Sequence, residues 1–348
     1  MAATPRPKAG SALFAALVAI TLVIFVLHVG YGSTSGYLGP AEVIRQLLRG
    51  PGAGTAANDT VWQIRLVRAL GCLCIGGILG GVGSAFQALF RNPLADPFIV
   101  GVSSGAATGS VIAMIAGFAG VLGGIAQAGA AFAGGLASLA LVLVLSGRRG
   151  RTNVVTLLLA GVVIGAMLSA VMSLLILLSG RDSNEVLKWL LGSTDDLYWP
   201  IIALLAFALI VGSALLISQS RALNAFAIGE ETARRLGVDT RRLKSIVLVA
   251  GTGMVSIAVG AAGIIGFLGL VAPHISRGLF GTDWRRSLAG SVLVGGCLLL
   301  LADALAQRIG PTSEWLHIHA VAYLPVGVVT AILGAPSLLI LLRRSQGR

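Results

Sequence analysis

Charged residues are scarce in this chain. They make up 11% of its 348 residues, against about a quarter in an ordinary soluble protein, while 56% of the residues are apolar. This composition argues against a soluble globular protein and against a disordered chain. The net charge of +12 would suggest an acidic partner for a soluble protein, but the basic residues of a membrane protein collect in its cytoplasmic loops. We therefore expect membrane lipid around the chain and no nucleic-acid partner.

Lysine and cysteine are also few. None of the lysines, Lys8, Lys188 and Lys244, follows a glycine, so the Gly-Lys-Ser/Thr core of a P-loop is missing and the chain cannot bind ATP in that way. The three cysteines lie inside apolar runs, which indicates neither a disulfide framework nor a zinc site. We expect no catalytic residue, no metal site and no cofactor, and hence no enzyme.

Long uncharged runs take up most of the sequence. Because a helix needs about 20 apolar residues to cross the hydrocarbon core, the runs can be converted into crossings by their length. Residues 98–147 are too long for one crossing and must fold back, near residues 117–124. Residues 245–276 form either one tilted crossing or two crossings with a turn near residues 260–263. Single crossings come from residues 11–29, 69–90, 152–180, 197–220, 287–302 and 315–342.

The basic residues decide between the two interpretations of residues 245–276. With two crossings there and the amino terminus inside, most Lys and Arg residues fall in cytoplasmic segments, whereas one crossing divides them almost evenly. We therefore predict an all-α polytopic membrane protein with ten transmembrane helices, both termini cytoplasmic, and residues 1–348 in a single domain. Residues 30–60 form an external loop. The first run could instead be a cleaved signal peptide, but no Ala-x-Ala site follows it.

Small residues recur at helical spacing on two of the spans. They are Gly76, Gly80 and Ser84 on the first, and Gly101, Gly105 and Gly109 on the second. Such faces allow helices in lipid to approach closely. The segment between these spans, residues 91–97, carries two prolines, so neither helix can continue through it. It is predicted to be a rigid connector.

Ionisable residues inside the spans bear on the energy source. An ion-driven carrier normally buries several ionisable groups near the middle of the membrane. Asp303 is almost the only carboxylate well inside a span, and it could be a relay, anchor a helix end or pair with nearby Arg308. A transporter driven by a separate ATPase is therefore the leading interpretation. An ion-coupled secondary transporter is the alternative.

The longest internal loop, about residues 221–244, has the features of a docking element. Glu230 and Glu231 lie where a helix amino terminus favours negative charge, and Gly237 is a natural carboxyl cap. A helix this short needs to pack against something, which could be another subunit. The alternative is a solvated, positively charged loop with no special role.

Several segments, taken in order, resemble one family of transport proteins. They include RLVRAL from Arg65, QALFRNPLADPFIVGVSSGAATG from Gln87, GEETARRLGV from Gly229, GIIGFLGLVAPHISR from Gly263 and LPVGVVTAILGAPSLLILL from Leu324. The set covers nearly the whole chain and resembles the FecCD or vitamin B12 importer type. These are the permeases of ATP-driven importers for iron-siderophore, haem and cobalamin.

The resemblance implies a vitamin B12 importer permease-like fold and a transport role. The expected cargo is an iron-siderophore complex moved inward, with haem or cobalamin as alternatives. The expected partners are a second permease in a homo- or heterodimer, two cytoplasmic ATP-binding subunits and an external substrate-binding protein. The expected location is the plasma (inner) membrane.

The resemblance also assigns roles to individual residues. The ATPase-coupling positions are Gly229, Glu230, Ala233, Arg234, Leu236 and Gly237, and the positions near the cytoplasmic gate are Asn92, Leu94, Val154 and Val155. Arg65 and Arg68 match the external arginines that receive acidic residues of the binding protein. Ordinary helix-end anchoring is the alternative for these two arginines.

The chain departs from the family pattern in two places. Val67 stands where the family usually has proline, and extra residues follow LLLLADALA, in QRIGPTSEWLHIHAVAY. A third docking arginine corresponds to Arg308 only with a shift of one residue. His317 and His319 in the insertion could contact haem or a metal, or be incidental. His28 is interpreted as a packing residue.

Overall fold

The structure is a computed structural model that describes residues 7–31, 36–148, 151–152, 154–179, 183–312 and 324–346. The helices in this part of the chain are α1 (Pro7–Gly30), α2 (Pro40–Arg49), α3 (Ala56–Thr60), α4 (Leu66–Phe90), α5 (Val102–Ile115), α6 (Ile125–Ser146), α7 (Val154–Leu178), α8 (Ser183–Leu190), α9 (Trp199–Ser218), α10 (Ser220–Ile228), α11 (Glu230–Arg235), α12 (Thr240–Ala262), α13 (Leu268–Phe280), α14 (Trp284–Thr312) and α15 (Val326–Gln346). A two-residue antiparallel pair, β1 (Gly147–Arg148) and β2 (Arg151–Thr152), connects α6 to α7. The predicted all-α fold is confirmed. His317 and His319 lie outside the described residues.

Seven helices within the described ranges are long and apolar enough to cross a membrane. They are Ser11–Gly30, Ala56–Phe90, Ile125–Ser146, Val155–Leu178, Trp199–Ser218, Thr240–Ala262 and Trp284–Ile309. Shorter apolar helices at Val102–Ile115 and Val326–Ser337 lie where the sequence predicts further crossings. The polytopic fold is therefore confirmed, while the number of ten crossings stays a prediction.

Glycines in the left-handed backbone region interrupt both long apolar runs. Between α5 and α6, Gly117 has a φ of +84° and Gly124 a φ of +88°. α12 ends at Ala262, and Gly263 has a φ of +73°. Residues with a side chain rarely adopt these angles, which end a helix. The fold-back near residues 117–124 is confirmed, and residues 245–276 form two helices rather than one.

The core of the bundle is built around α4. This helix is buried along nearly its whole length and contacts α9, α12, α13 and α14. Gly80 of α4 packs against the carbonyl oxygen of Ser291 in α14, and Gly109 of α5 packs against the carbonyl oxygen of Ala130 in α6. A methyl group at either glycine would overlap the facing backbone. The predicted small-residue faces are thus confirmed as sites of close helix contact.

Helical structure extends beyond the predicted spans at the end where α4 begins. A π-helical turn, Val61–Arg65, joins α3 to α4, so Arg65 and Arg68 lie within a continuous helix instead of ahead of one. α2 and α8 are short helices in segments that the sequence analysis treats as loops. α2 is held by the buried side chains of Val43 and Gln46. The residues that pack over these two side chains lie in other helices of the chain, so the sequence of α2 alone does not predict these contacts.

Candidate functional site

The predicted docking loop is a compact helical segment between α9 and α12. α10 and α11 follow one another, Gly237 takes the left-handed conformation after α11, and Asp239 caps α12 by accepting the backbone N–H of Arg242 at 3.0 Å. The predicted short helix and its carboxyl cap are confirmed. α10 was not predicted. Asn224 of α10 ties the segment to the turn before α14, because its side chain donates to Asp283 at 3.2 Å and accepts from the backbone N–H of Trp284 at 3.0 Å.

Glu230 fixes α11 to α12. Its carboxylate accepts from Arg234 Nη2 at 2.6 Å and from Lys244 Nζ at 2.9 Å to each oxygen, while Arg234 Nε donates to Thr240 Oγ1 at 3.0 Å. Partial burial alone would raise the pKa of Glu230, but the charges and hydrogen bonds of Lys244 and Arg234 leave that pKa below its ordinary value. Ala233 is fully buried beneath them. The segment is therefore a rigid unit with polar contacts on its inner side.

Two apolar side chains project from this segment into solvent. Ile228, at the end of α10, is 74% exposed, and Leu236, at the end of α11, is 66% exposed. Each is followed directly by a glycine that ends its helix, Gly229 after α10 and Gly237 after α11. Exposed apolar groups next to a fixed turn are suited to insertion into a groove of another protein.

The predicted gate residues lie in two turns. α4 ends at Phe90, and its cap residue Arg91 has a left-handed φ of +50°. Asn92 Oδ1 then accepts the backbone N–H of Leu94 at 2.9 Å. Val154 begins α7, and Val155 in its first turn is exposed. The connector after Pro97 packs against α7, since a Cβ added at Gly161 would lie 2.6 Å from the carbonyl oxygen of Ile99.

Asp96 in the connector has an unusual proton affinity. Burial raises the pKa of its carboxyl group to about 6, although the carboxylate accepts the backbone N–H of Phe98 at 2.9 Å, which opposes the rise. Two prolines and the side-chain caps of Asn92 and Asp96 restrict the backbone of the connector. Its rigidity stays a prediction.

The arginines predicted to receive the binding protein lie together at the opposite end of α4, but in different environments. Arg65 is 4% exposed, and its guanidinium donates to the carbonyl oxygens of Gly30 at 2.9 Å and Gly36 at 2.7 Å. Arg308 is exposed and lies over the ring of Tyr31, 5.8 Å from its centroid. The structure thus gives Arg65 the contacts of a helix anchor, and leaves Arg308 accessible.

Arg68 is the centre of a buried ion-pair network. It donates to Asp303 twice, from Nε at 2.8 Å and from Nη2 at 2.9 Å, and it also contacts Asp195. Asp303 is fully buried and accepts further bonds from His28 Nε2 at 2.8 Å, Thr194 Oγ1 at 2.5 Å and Gln307 Nε2 at 2.7 Å. We name this group of side chains the outer network, because it lies at the end of the bundle that the distribution of basic residues predicts to be external.

The outer network decides one open alternative and corrects one interpretation. Asp303 pairs with Arg68 and not with Arg308, and His28 is a hydrogen-bonding residue, not simply a packing residue. His28, Cys72 and Asp303 bring possible metal-ligand atoms within 4.8 Å of one another. The oxygens of Asp303 are already taken up by Arg68 and the neighbouring donors, so the arrangement is that of an ion pair and not of a metal centre. Arg68 and Asp303 each lie directly beside an uncharged run, residues 69–90 and residues 287–302, which marks each as a charge at a span end but does not connect the two.

A cavity of about 520 Å³ lies beside the outer network. Its walls come from the turn between α5 and α6, from α6, from α8 and the segment after it, and from the end of α12. Asp195, the partner of Arg68, lines it, together with Glu185, Asp196 and Lys188. The cavity is therefore continuous with the network and carries more negative than positive side chains.

Comparisons with known proteins identify the family. The FecCD transport family model matches residues 20–344. The chain is 38% identical over 307 residues to the uncharacterized ABC transporter permease YvrB of Bacillus subtilis, covering 86% of this chain and 84% of that protein. It is 38% identical over 297 residues to the cobalamin import permease BtuC of Halobacterium salinarum (85% and 77% covered), and 37% identical over 300 residues to the hemin transport permease HmuU of Yersinia pestis (84% and 86%).

Solved structures agree with this result. A metal-chelate type ABC transporter in an inward-facing conformation superposes with a TM-score of 0.82 at 29% identity, covering 96% of this chain and 99% of that one. PsaBC from Streptococcus pneumoniae, at 17% identity and a TM-score of 0.56, shares the fold. The chain therefore belongs to the FecCD transport family, as a multi-pass membrane permease of the ABC importer type.

Proposed function

We propose that this permease moves an iron-siderophore complex into the cell, driven by ATP hydrolysis on a partner subunit. The relatives named for cobalamin and hemin import and the solved metal-chelate type transporter support a large metal chelate as cargo. Haem and cobalamin remain the alternative cargoes. The sequence contains no P-loop, so the nucleotide site belongs to another subunit.

The proposed assembly has a second permease, two cytoplasmic ATP-binding subunits and an external substrate-binding protein. α7 carries exposed apolar side chains along its length, including Leu159, Val163 and Leu174, which suits contact with lipid or with the second permease. Both termini are proposed to be cytoplasmic. At the outer end, Arg65, Arg68 and Arg308 are proposed to receive the binding protein. Arg308 is exposed, whereas the contacts of Arg65 and Arg68 also suit the alternative, which is to anchor the helix end.

The observation that carries the proposal is the fixed segment formed by α10 and α11. Glu230 joins it to α12 through Lys244, so a movement of the segment moves α12 as well. We propose that Gly229, Glu230, Ala233, Arg234, Leu236 and Gly237 couple the ATPase to the membrane helices in this way. Asn92, Leu94, Val154 and Val155 are proposed to lie near the cytoplasmic gate that responds.

A charge placed on the exposed apolar side of the segment tests the coupling. Leu236→Asp leaves the Glu230 contacts intact, because Leu236 is mostly solvent-exposed, but it places a carboxylate in the proposed apolar groove of the ATPase. We expect copurification with the ATPase and cargo uptake to fall at least about tenfold, since burying an unpaired charge costs several kcal/mol. The matched control is Thr282→Asp, in the turn between α13 and α14, which adds the same charge outside the segment. Normal uptake and ATPase association in Leu236→Asp would remove the coupling proposal.

Proteoliposomes distinguish the alternative class of transporter. The purified chain without ATP-binding subunits should move no chelate under a proton or sodium gradient. Accumulation under either gradient alone would establish ion-coupled secondary transport instead.

A further inference from the structure

We propose that the outer cavity binds an organic cation, a primary ammonium or guanidinium group. The wall residues that carry this inference are Gln127, Glu185, Trp189, Asp195 and Asp196. No role in coupling, gating or docking is assigned to any of them. The inference adds a ligand site at the outer end to the proposed import function, and it can be tested without ATP or transport.

Gln127 gives the first independent sign of a ligand. Gln127 is only 7% exposed. Its side-chain amide has no hydrogen-bond partner among the described residues. Its amide atoms are not among the unpaired side-chain atoms that are fully enclosed by protein. Because Gln127 lines the cavity, these atoms open onto it. A buried amide without a protein partner costs free energy unless water or a ligand satisfies it. The amide oxygen can accept a hydrogen bond from an N–H group of the cation.

The carboxylates of the wall give the second sign. Glu185 and Asp196 make no ion pair or hydrogen bond within the part of the chain that the structure describes, whereas Asp195 is engaged by Arg68 and Ser193. Burial, and then the charges of Asp195 and Glu185, raise the pKa of Asp196, against the opposing effect of Arg68. The wall therefore carries three carboxylates against one cation, Lys188, while Arg68 beside it is already paired with Asp303. A cation would relieve the repulsion between these carboxylates.

The remaining walls are suited to the organic part of such a ligand. Trp189 of α8 and Tyr198, just before α9, are among the residues that line the cavity. Aromatic faces attract ammonium and guanidinium groups and also pack against their methylene chains. A volume of about 520 Å³ accepts a single extended side chain or the end of a larger molecule. An inorganic ion would leave the aromatic walls unused.

The experiment uses the importer assembled in nanodiscs and two probes of the same shape. Butylguanidinium is the cation and butylurea its neutral counterpart, and tryptophan fluorescence reports binding, with Trp189→Phe identifying the responding residue. We expect saturable binding of butylguanidinium only. Asp196→Asn should raise its Kd about three- to tenfold, the effect of one partly screened ion pair, and Lys188→Gln should lower it. The matched control is Asp59→Asn, an exposed carboxylate in α3, which should leave the Kd unchanged.

Competition then identifies where the cation comes from. Ferrioxamine B, an iron chelate ending in an ammonium group, displaces butylguanidinium if the cation belongs to the cargo, and its N-acetylated neutral form does not. If neither chelate competes but the external binding protein does, the cation is a basic side chain of that protein. Equal binding of butylguanidinium and butylurea, or equal Kd values in Asp196→Asn and Asp59→Asn, would refute the cation site. Normal ATP-driven uptake alongside such a result would leave the import function standing.

Discussion

Asparagine in place of Asp303 should destabilise the outer end of the bundle by about 3–5 kcal/mol, the cost of breaking a buried ion pair by removing one partner. Asp303 is 0% exposed, and its two oxygens accept from Arg68, His28, Thr194 and Gln307. Asparagine removes the negative charge that neutralises Arg68. It also turns one acceptor into an amide donor, which then faces a donor of a neighbouring residue.

The free energy of unfolding can be measured on the full chain in bicelles, with two control variants. Asp195→Asn removes the more exposed partner of Arg68, whose side chain is 35% exposed, and should cost about 0–1 kcal/mol. Arg308→Gln removes the cation over Tyr31 and should cost no more than about 1 kcal/mol. A larger loss of stability from Arg308→Gln than from Asp303→Asn would mean that Asp303 is neutralised by Arg308 and not by Arg68.

A double-mutant cycle completes the test. Arg68→Gln alone leaves Asp303 buried without its main cation and should cost about as much as Asp303→Asn. The double variant should cost clearly less than the sum of the two, by about 1.5–3 kcal/mol, because neither charge is then left alone. Additive effects of the two substitutions, or an Asp303→Asn cost no larger than that of Asp195→Asn, would refute the proposed network.

Two further predictions concern close packing and proton binding. Gly80→Ala should lower the free energy of unfolding by about 1–3 kcal/mol, because the added methyl group meets the carbonyl oxygen of Ser291. Gly129→Ala, in α6 with open space around it, should be neutral or stabilising by up to about 1 kcal/mol. Equal thermal stability of the two variants would contradict this prediction. Asp96 has a pKa of about 6 when folded and about 3.9 when unfolded, so the folded connector holds its proton more tightly, and the free energy of unfolding should fall as pH rises from about 4 to 6 and then level off. Hydrogen exchange of the amides of residues 91–100, measured as a function of pH, reports the free energy of opening of the connector. Asp96→Asn should remove the dependence of this free energy on pH between about 4 and 6. An unchanged dependence would assign the titration to another group.

Run lengths and charge were sufficient to predict the class of fold. Apolar runs indicate helices, because in lipid only a helix satisfies all backbone hydrogen bonds within a single segment. The glycine-rich breaks at residues 117–124 and 260–263 fall where the helices end. The spacing of Gly76 and Gly80 predicted a close-contact face. It could not indicate α14 as the helix they meet, because spacing describes one helix and the partner is chosen by the packing of the whole bundle.

The outer network shows what the sequence could not supply. Arg68 and Asp303 are 235 positions apart, and no local pattern connects them. Pairing with Arg308, five residues after Asp303, was one of three roles left open for Asp303. In the structure Asp303 lies on the buried face of α14, while Arg308 is exposed. The coupling segment was easier to predict because its signals are local, with acidic residues at the start of α11 and Gly237 at its end.

The bonds from Arg65 to Gly30 and Gly36 also bear on how the protein is made. The carbonyl groups at the exit of α1 and in the stretch beyond it obtain these donors from a residue that leaves the ribosome later. Until Arg65 is in place, these carbonyl groups have water as their donor, as the last carbonyl groups of any helix do. The contact between the ends of the first two long spans is therefore completed only after the second of them has been synthesised.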